Sequence, residues 1–140
     1  MNRKGVSMKL NHINLMSVDV AGDVAMFETY FGLRPLVMRG KALAVLQDDG
    51  GMVLVLNDFA KKRGAFTYPE DSDVHHIGFI QESREQVDAL NARLKADGWD
   101  VPAPRDYHDA WTFYFKAKGG YFVEVATETK LRRVEATVAR

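Results

Sequence analysis

The sequence predicts an α+β protein that uses one strand–helix–three-strand plan twice, and three observations carry this reading. The segment Leu10-Asn11-His12-Ile13-Asn14-Leu15 is echoed by Val74-His75-His76-Ile77-Gly78-Phe79, each with a histidine directly before an isoleucine at the head of an alternating stretch. After each segment the alternation gives way to apolar residues recurring every three or four positions, the helical period. Landmarks also repeat at a nearly constant offset: His12 to His76 is 64 positions, Gly32 to Gly98 is 66, and Gly51 to Gly120 is 69. An offset that grows by small loop insertions marks an internal duplication, and two copies indicate paired modules rather than a solenoid, which needs more repeats to stack.

The elements follow in order. Residues 9–17 alternate, with Leu10, Ile13 and Leu15 set against polar neighbours, as in a half-buried strand. Asp19 opens a turn, and Val24, Phe27 and Phe31 then give a helical stripe over residues 22–31. Gly32 follows where a left-handed residue closes a helix, and Pro35 bars its continuation, so residues 36–39 are read as the second strand. A third strand covers 41–47, and the turn Asp48-Asp49-Gly50-Gly51 leads to a fourth over 52–57. Residues 58–73 show no period and are read as a linker. The plan then restarts with a strand over 74–81. Ser83 and Gln86 have the spacing of a capping box for a helix reaching about residue 97, with Val87, Leu90 and Leu94 as its buried stripe. Gly98 ends it, and strands are expected at 99–101, 111–116 and 121–126, the last two joined by Lys118-Gly119-Gly120. In the tail, 127–140, Leu131, Val134 and Val138 are spaced helically. The expected organisation is one domain, 1–140, of two modules, about 9–57 and 74–126.

Composition narrows the function. Lys plus Arg and Asp plus Glu both number 19, so the net charge is zero. This argues against a nucleic-acid partner, which needs excess cations to displace counterions from phosphates. There is no cysteine, so any metal must sit on His, Asp or Glu. The basic residues near the N-terminus have no apolar stretch behind them, and apolar runs such as 52–56 are too short to span a bilayer. A cytoplasmic protein with no membrane contact is expected.

Alternation decides which side chains can meet. In the first strand His12, Asn14 and Met16 share one face, and Ile13 and Leu15 pack towards the helix on the other. In the repeat Ile77 and Phe79 take the helix side, so His76 matches His12, while His75 falls on the helix side or near the strand edge. Val123 and Val125 are the helix-side pair of the last strand, which leaves Phe122 and Glu124 on the histidine face. A register slip of one residue would exchange His75 and His76. Two histidines and one carboxylate form the ligand set of a divalent metal site with open positions.

The chain resembles the vicinal oxygen chelate superfamily over residues 9–126. The resemblance rests on Leu10-Asn11-His12-Ile13, Asp19 and the run from Phe27 to Leu33, then His76-Ile77-Gly78-Phe79, then Phe113-Tyr114-Phe115 leading through Gly119-Gly120 to Glu124. That superfamily includes glyoxalase-type lyases, extradiol ring-cleaving dioxygenases, fosfomycin-resistance enzymes and bleomycin-binding proteins. The resemblance implies two βαβββ modules whose curved mixed sheets enclose a metal cleft, with metal ligands at His12, His76 and Glu124. The position where glyoxalase-type lyases generally place a second glutamate falls on Val55, which moves the reading away from that activity. Tyr114, ten residues before Glu124, falls where the dioxygenases carry an acid–base tyrosine. The loop 107–112 lacks the serines of the fosfomycin enzymes' potassium loop.

The resulting expectation is a metal-dependent enzyme acting on a small oxygen-chelating substrate, most like an extradiol dioxygenase. Fe(II) is favoured, with Mn, Zn or Ni as alternatives, and a homodimer is expected because members of this fold commonly pair through their sheets. The competing readings are a glyoxalase-like lyase or isomerase, a resistance transferase, and a non-catalytic drug-binding protein.

Overall fold

The computed structural model describes residues 5–128. The chain divides into two compact units, Met1–Phe66 and Thr67–Arg140, with the boundary inside the expected linker. The first unit runs β1 (His12–Met16), α1 (Val20–Phe31), β2 (Arg34–Arg39), β3 (Leu43–Gln47), β4 (Val53–Asn57) and a single helical turn, α2 (Ala60–Arg63). The second runs β5 (His76–Gln81), α3 (Arg84–Ala96), β6 (Arg105–Tyr107), β7 (Ala110–Lys116) and β8 (Phe122–Thr127). Each unit forms a four-stranded mixed sheet, ordered β1-β4-β3-β2 in the first and β5-β8-β7-β6 in the second. The α+β class and the doubled plan are therefore as expected.

In both units the first strand pairs parallel with the last, and the remaining pairs are antiparallel. A parallel pair cannot be closed by a hairpin, so each helix serves as the crossover. Asp19 caps α1 by accepting from the Gly22 amide, which makes the expected turn the helix's first turn and starts it at Val20. Gly32 closes α1 at φ 69°. Ser83 and Gln86 form the full capping box at the head of α3. One face of each sheet holds the core: Leu15, Ala44, Leu46, Leu54 and Leu56 with Val24 and Phe27 of α1, and Phe113, Phe115, Val123 and Val125 with Val87 and Leu94 of α3.

Three expectations need correction. Residues 99–101 are not a strand. The Trp99 amide still bonds to Leu94 O in the close of α3, and Pro102 and Pro104 have no N–H, so pairing starts at Arg105 with Thr112 as partner. The second strand begins at Arg34 rather than 36, because β2 is an edge strand with a bulge between Pro35 and Val37, where proline is tolerated. The linker contains the helical turn α2. The expected helical tail lies mostly outside the described residues. Among the described residues no helix is long and apolar enough to cross a membrane.

The capping box makes a direct prediction. Ser83→Ala should cost about 1 kcal/mol of stability, read as a lower urea midpoint, while leaving ligand binding at the sheet intact.

Candidate metal centre

The second unit brings His76, Glu124 and Tyr114 together on one sheet face. In the ladder His76 lies opposite Phe122 and Gly78 opposite Glu124, while Tyr114 lies opposite Glu124 from the other side. Glu124 thus sits between Gly78 and Tyr114, with His76 as a diagonal neighbour. Val123 and Val125, on the reverse face, are fully buried.

His76 Nε2 is 3.3 Å from Glu124 Oε1, and His76 Nδ1 is 2.7 Å from the Ser72 carbonyl oxygen. A carbonyl can only accept, so Nδ1 carries a proton and donates it. In the neutral ring the lone pair is then on Nε2 and faces the carboxylate. Two acceptors at that separation are satisfied by a proton or a cation between them. Anchoring of one ring nitrogen by a backbone carbonyl is also how metal-ligating histidines are commonly oriented. Glu124 Oε2 accepts from the Thr112 hydroxyl at 2.7 Å. Gly78 leaves the space beside the carboxylate open: a Cβ there would stand 3.6 Å from Oε1. The donor set suits a divalent cation at His76 and Glu124.

Tyr114 borders this pair, its ring edge-on to His76 with centroids 5.1 Å apart. Burial, then the charge and hydrogen bonding of Glu124, hold its phenol well above the usual tyrosine range. Its ring also meets Tyr107 at 6.2 Å. The Tyr107 hydroxyl donates to Asp73 Oδ2 at 2.5 Å, which raises the Tyr107 pKa and lowers that of Asp73. His108 Nε2 lies 3.5 Å from Asp73 Oδ1. His108 and Asp109 form the tip of the β6–β7 hairpin with φ of 52° and 62°, the positive values that a two-residue turn of matching twist requires.

His75 immediately precedes β5. Its ring packs on Tyr68 at 5.0 Å, and Nδ1 is buried with no hydrogen-bond partner. His75 and His76 are divided by the strand register, and the Nε2 facing Glu124 belongs to His76.

The first unit repeats the geometry with different chemistry. His12 lies opposite Val53 and Asn14 opposite Val55, as His76 and Gly78 lie opposite Phe122 and Glu124. Val55 therefore occupies the position of Glu124, and its antiparallel partner Val45 that of Tyr114. His12 Nδ1 is 3.1 Å from Asn11 Oδ1, which leaves Nε2 as the outward nitrogen. Asn57 donates to Asn14 Oδ1 at 2.7 Å. Among the described residues no three His, Asp or Glu side chains gather into a group that could hold a metal ion. What the second unit does bring together is the pair His76–Glu124.

Thr112, Gly78 and Ser72 were not singled out from the sequence. Thr112 lies two residues before Tyr114 and so on the same strand face, but nothing in the sequence marks its hydroxyl as the partner of Glu124. The Ser72 carbonyl leaves no mark in the sequence.

Two βαβββ units, the second with a histidine on its first strand and a carboxylate on its last, define a paired-module protein. The chain belongs to the Glyoxalase/Bleomycin resistance protein/Dioxygenase superfamily, whose family model matches residues 9–125. It is 30% identical over 107 residues to the uncharacterized protein PA2024 of Pseudomonas aeruginosa, covering 72% of this chain and 74% of that one. A possible glyoxalase from Bacillus cereus is 42% identical with a TM-score of 0.74, over 86% of this chain and 99% of that chain. Two further structures share the fold. Lactoylglutathione lyase from Agrobacterium tumefaciens has 22% identity and a TM-score of 0.68, over 89% of this chain and 96% of that one. The genomically encoded fosfomycin resistance protein FosX from Listeria monocytogenes, complexed with Mn(II) and sulfate ion, has 19% identity and a TM-score of 0.69, over 94% of this chain and 99% of that one.

The raised Tyr114 pKa can be read spectroscopically. The unfolded phenol ionises near pH 10, so stability from the protonated folded form is complete below that value and is lost as pH rises above it. Tyrosinate absorbance should show a step on the alkaline side of the ordinary range whose amplitude Tyr114→Phe reduces, with Tyr107 supplying the remainder. The variant should also lose less stability above about pH 10 than the wild type.

Proposed function

We propose that the protein is a metal-dependent enzyme in which His12, His76 and Glu124 hold a divalent ion and the substrate presents two oxygens to it. The observation that carries this is His76 Nε2 facing Glu124 Oε1 at 3.3 Å with Nδ1 already committed to a carbonyl. His12, the register counterpart of His76 in the first unit, is the third proposed donor. A bound divalent ion supplies Lewis acidity and a template for two substrate oxygens. Tyr114, edge-on to the His76 ring at 5.1 Å, is the candidate proton donor to substrate, since a phenol is protonated at neutral pH and can give up its proton in the reaction. Gly78 leaves room beside the carboxylate for the incoming group.

The finer reading is oxygenation of an aromatic vicinal diol with Fe(II). Two histidines and one carboxylate leave several positions open, and that set suits non-haem Fe(II) oxygenases. Val55 supports it over the glyoxalase reaction, because no carboxylate stands at the first unit's matching place. The similarity to FosX and to lactoylglutathione lyase keeps addition and lyase reactions as the competing outcomes.

Metal analysis of protein purified without chelator tests the site. Near-stoichiometric metal is expected in the wild type and in His75→Ala, with loss in His12→Ala, His76→Ala and Glu124→Gln. Metal retained in His76→Ala, or none bound under any loading, would sink this reading. Oxygen uptake with catechols under Fe(II) loading then separates the oxygenase from the others. Uptake should fall by roughly tenfold or more in Tyr114→Phe if the phenol donates a proton in the reaction.

A further inference from the structure

Resting on the assignment of His76 and Glu124 as ligands, we infer that Thr112 is a positioning residue for the metal centre. Its hydroxyl holds Glu124 Oε2 so that Oε1 alone is turned towards His76.

Thr112 is fully buried, and its hydroxyl has two acceptors in reach: Glu124 Oε2 at 2.7 Å and the Val125 carbonyl at 3.1 Å. A hydroxyl has one proton, and the shorter contact to an ionised acceptor is the stronger. That bond fixes the carboxylate's rotation. With Oε2 engaged by β7, Oε1 is the oxygen 3.3 Å from His76 Nε2.

Comparison of the two units shows that the hydroxyl and the carboxylate go together. Thr112 pairs with Ala126, and the corresponding pair in the first unit is Leu43 with Asn57. Leu43, Val45 and Val55 thus stand where the second unit has Thr112, Tyr114 and Glu124. The unit without the carboxylate also lacks the hydroxyl. A buried hydroxyl costs stability unless it is bonded, so a strand needing only a β-former would be served as well by valine.

The consequence would be a carboxylate that presents a single oxygen, Oε1, to a bound ion. A carboxylate free to rotate could offer both oxygens and take up a position that a two-oxygen substrate needs. Held by Thr112, it offers one. Thr112 touches neither metal nor substrate in this scheme and acts through Glu124.

Thr112→Val, which keeps the shape and removes the hydroxyl, and Thr112→Ser, which keeps the hydroxyl, test the inference. The readouts are Mn(II) affinity by calorimetry and the number of water molecules on bound Mn(II) by water-proton relaxation. Thermal melts of both variants separate folding from binding. T112V should bind Mn(II) about 10- to 100-fold more weakly and carry fewer metal-bound waters, with T112S close to the wild type. T112V binding like the wild type while Glu124→Gln loses the metal would overturn the role of Thr112 and leave the ligands standing. T112S as weak as T112V would also overturn it. Wild-type protein that fails to bind Mn(II), or binding unaffected by Glu124→Gln, would remove the ligand assignment and this inference with it.

Discussion

Everything at the site depends on the parallel pairing of each unit's first strand with its last. Because a parallel pair needs a crossover, the chain must leave β5, return through α3, and lay down β6 and β7 before β8 can close against β5. The strands at the two ends of the unit become neighbours, and His76 comes to lie beside Glu124. A one-residue slip in that pair would turn one of the two side chains towards the helix and leave a carboxylate facing Val87 and Leu94. The valines at 123 and 125 oppose such a slip, since both are fully buried only in this register.

Much of this was legible because period-two alternation is rigid. The choice of His76 over His75 for the Glu124 face needed only the placement of Ile77 and Phe79 on the opposite side, and the ladder puts His76 there. The match of Val55 to Glu124, implied by the family resemblance, coincides with the hydrogen-bonded register in both sheets. What was illegible lay where backbone groups or prolines decide. Trp99 and Val101 look like strand residues, yet the close of α3 and the two prolines delay the ladder to Arg105. Thr112, set in Trp-Thr-Phe-Tyr-Phe, reads as one more β-former, and only the folded chain shows its hydroxyl spent on a carboxylate.

The centre is stiff for a physical reason. Glu124 lies on an inner strand and is touched from both sides, by His76 of β5 and by Thr112 and Tyr114 of β7. His76 is held from behind by Ser72, and the adjacent Asp73 is tied to the β6–β7 hairpin through Tyr107 and His108. The groups nearest the proposed ion are thus carried on strands or tied to them, which is the arrangement that keeps a site's geometry preorganised.

The aliphatic trio Leu43, Val45 and Val55 has a consequence for how the two halves of a duplicated chain can age. A sheet face made of aliphatic side chains accepts exchanges among leucine, isoleucine and valine at small cost, because volume is nearly conserved and no bond is lost. A face made of a carboxylate, a hydroxyl and a phenol has no such neighbours in sequence space: each single change strands a partner. Substitutions should therefore accumulate faster in the first half than in the second, with His12 the exception. After enough divergence the copies would share a fold and a register but hardly a residue, and only the older kinship of their ladders would still show that they began as one.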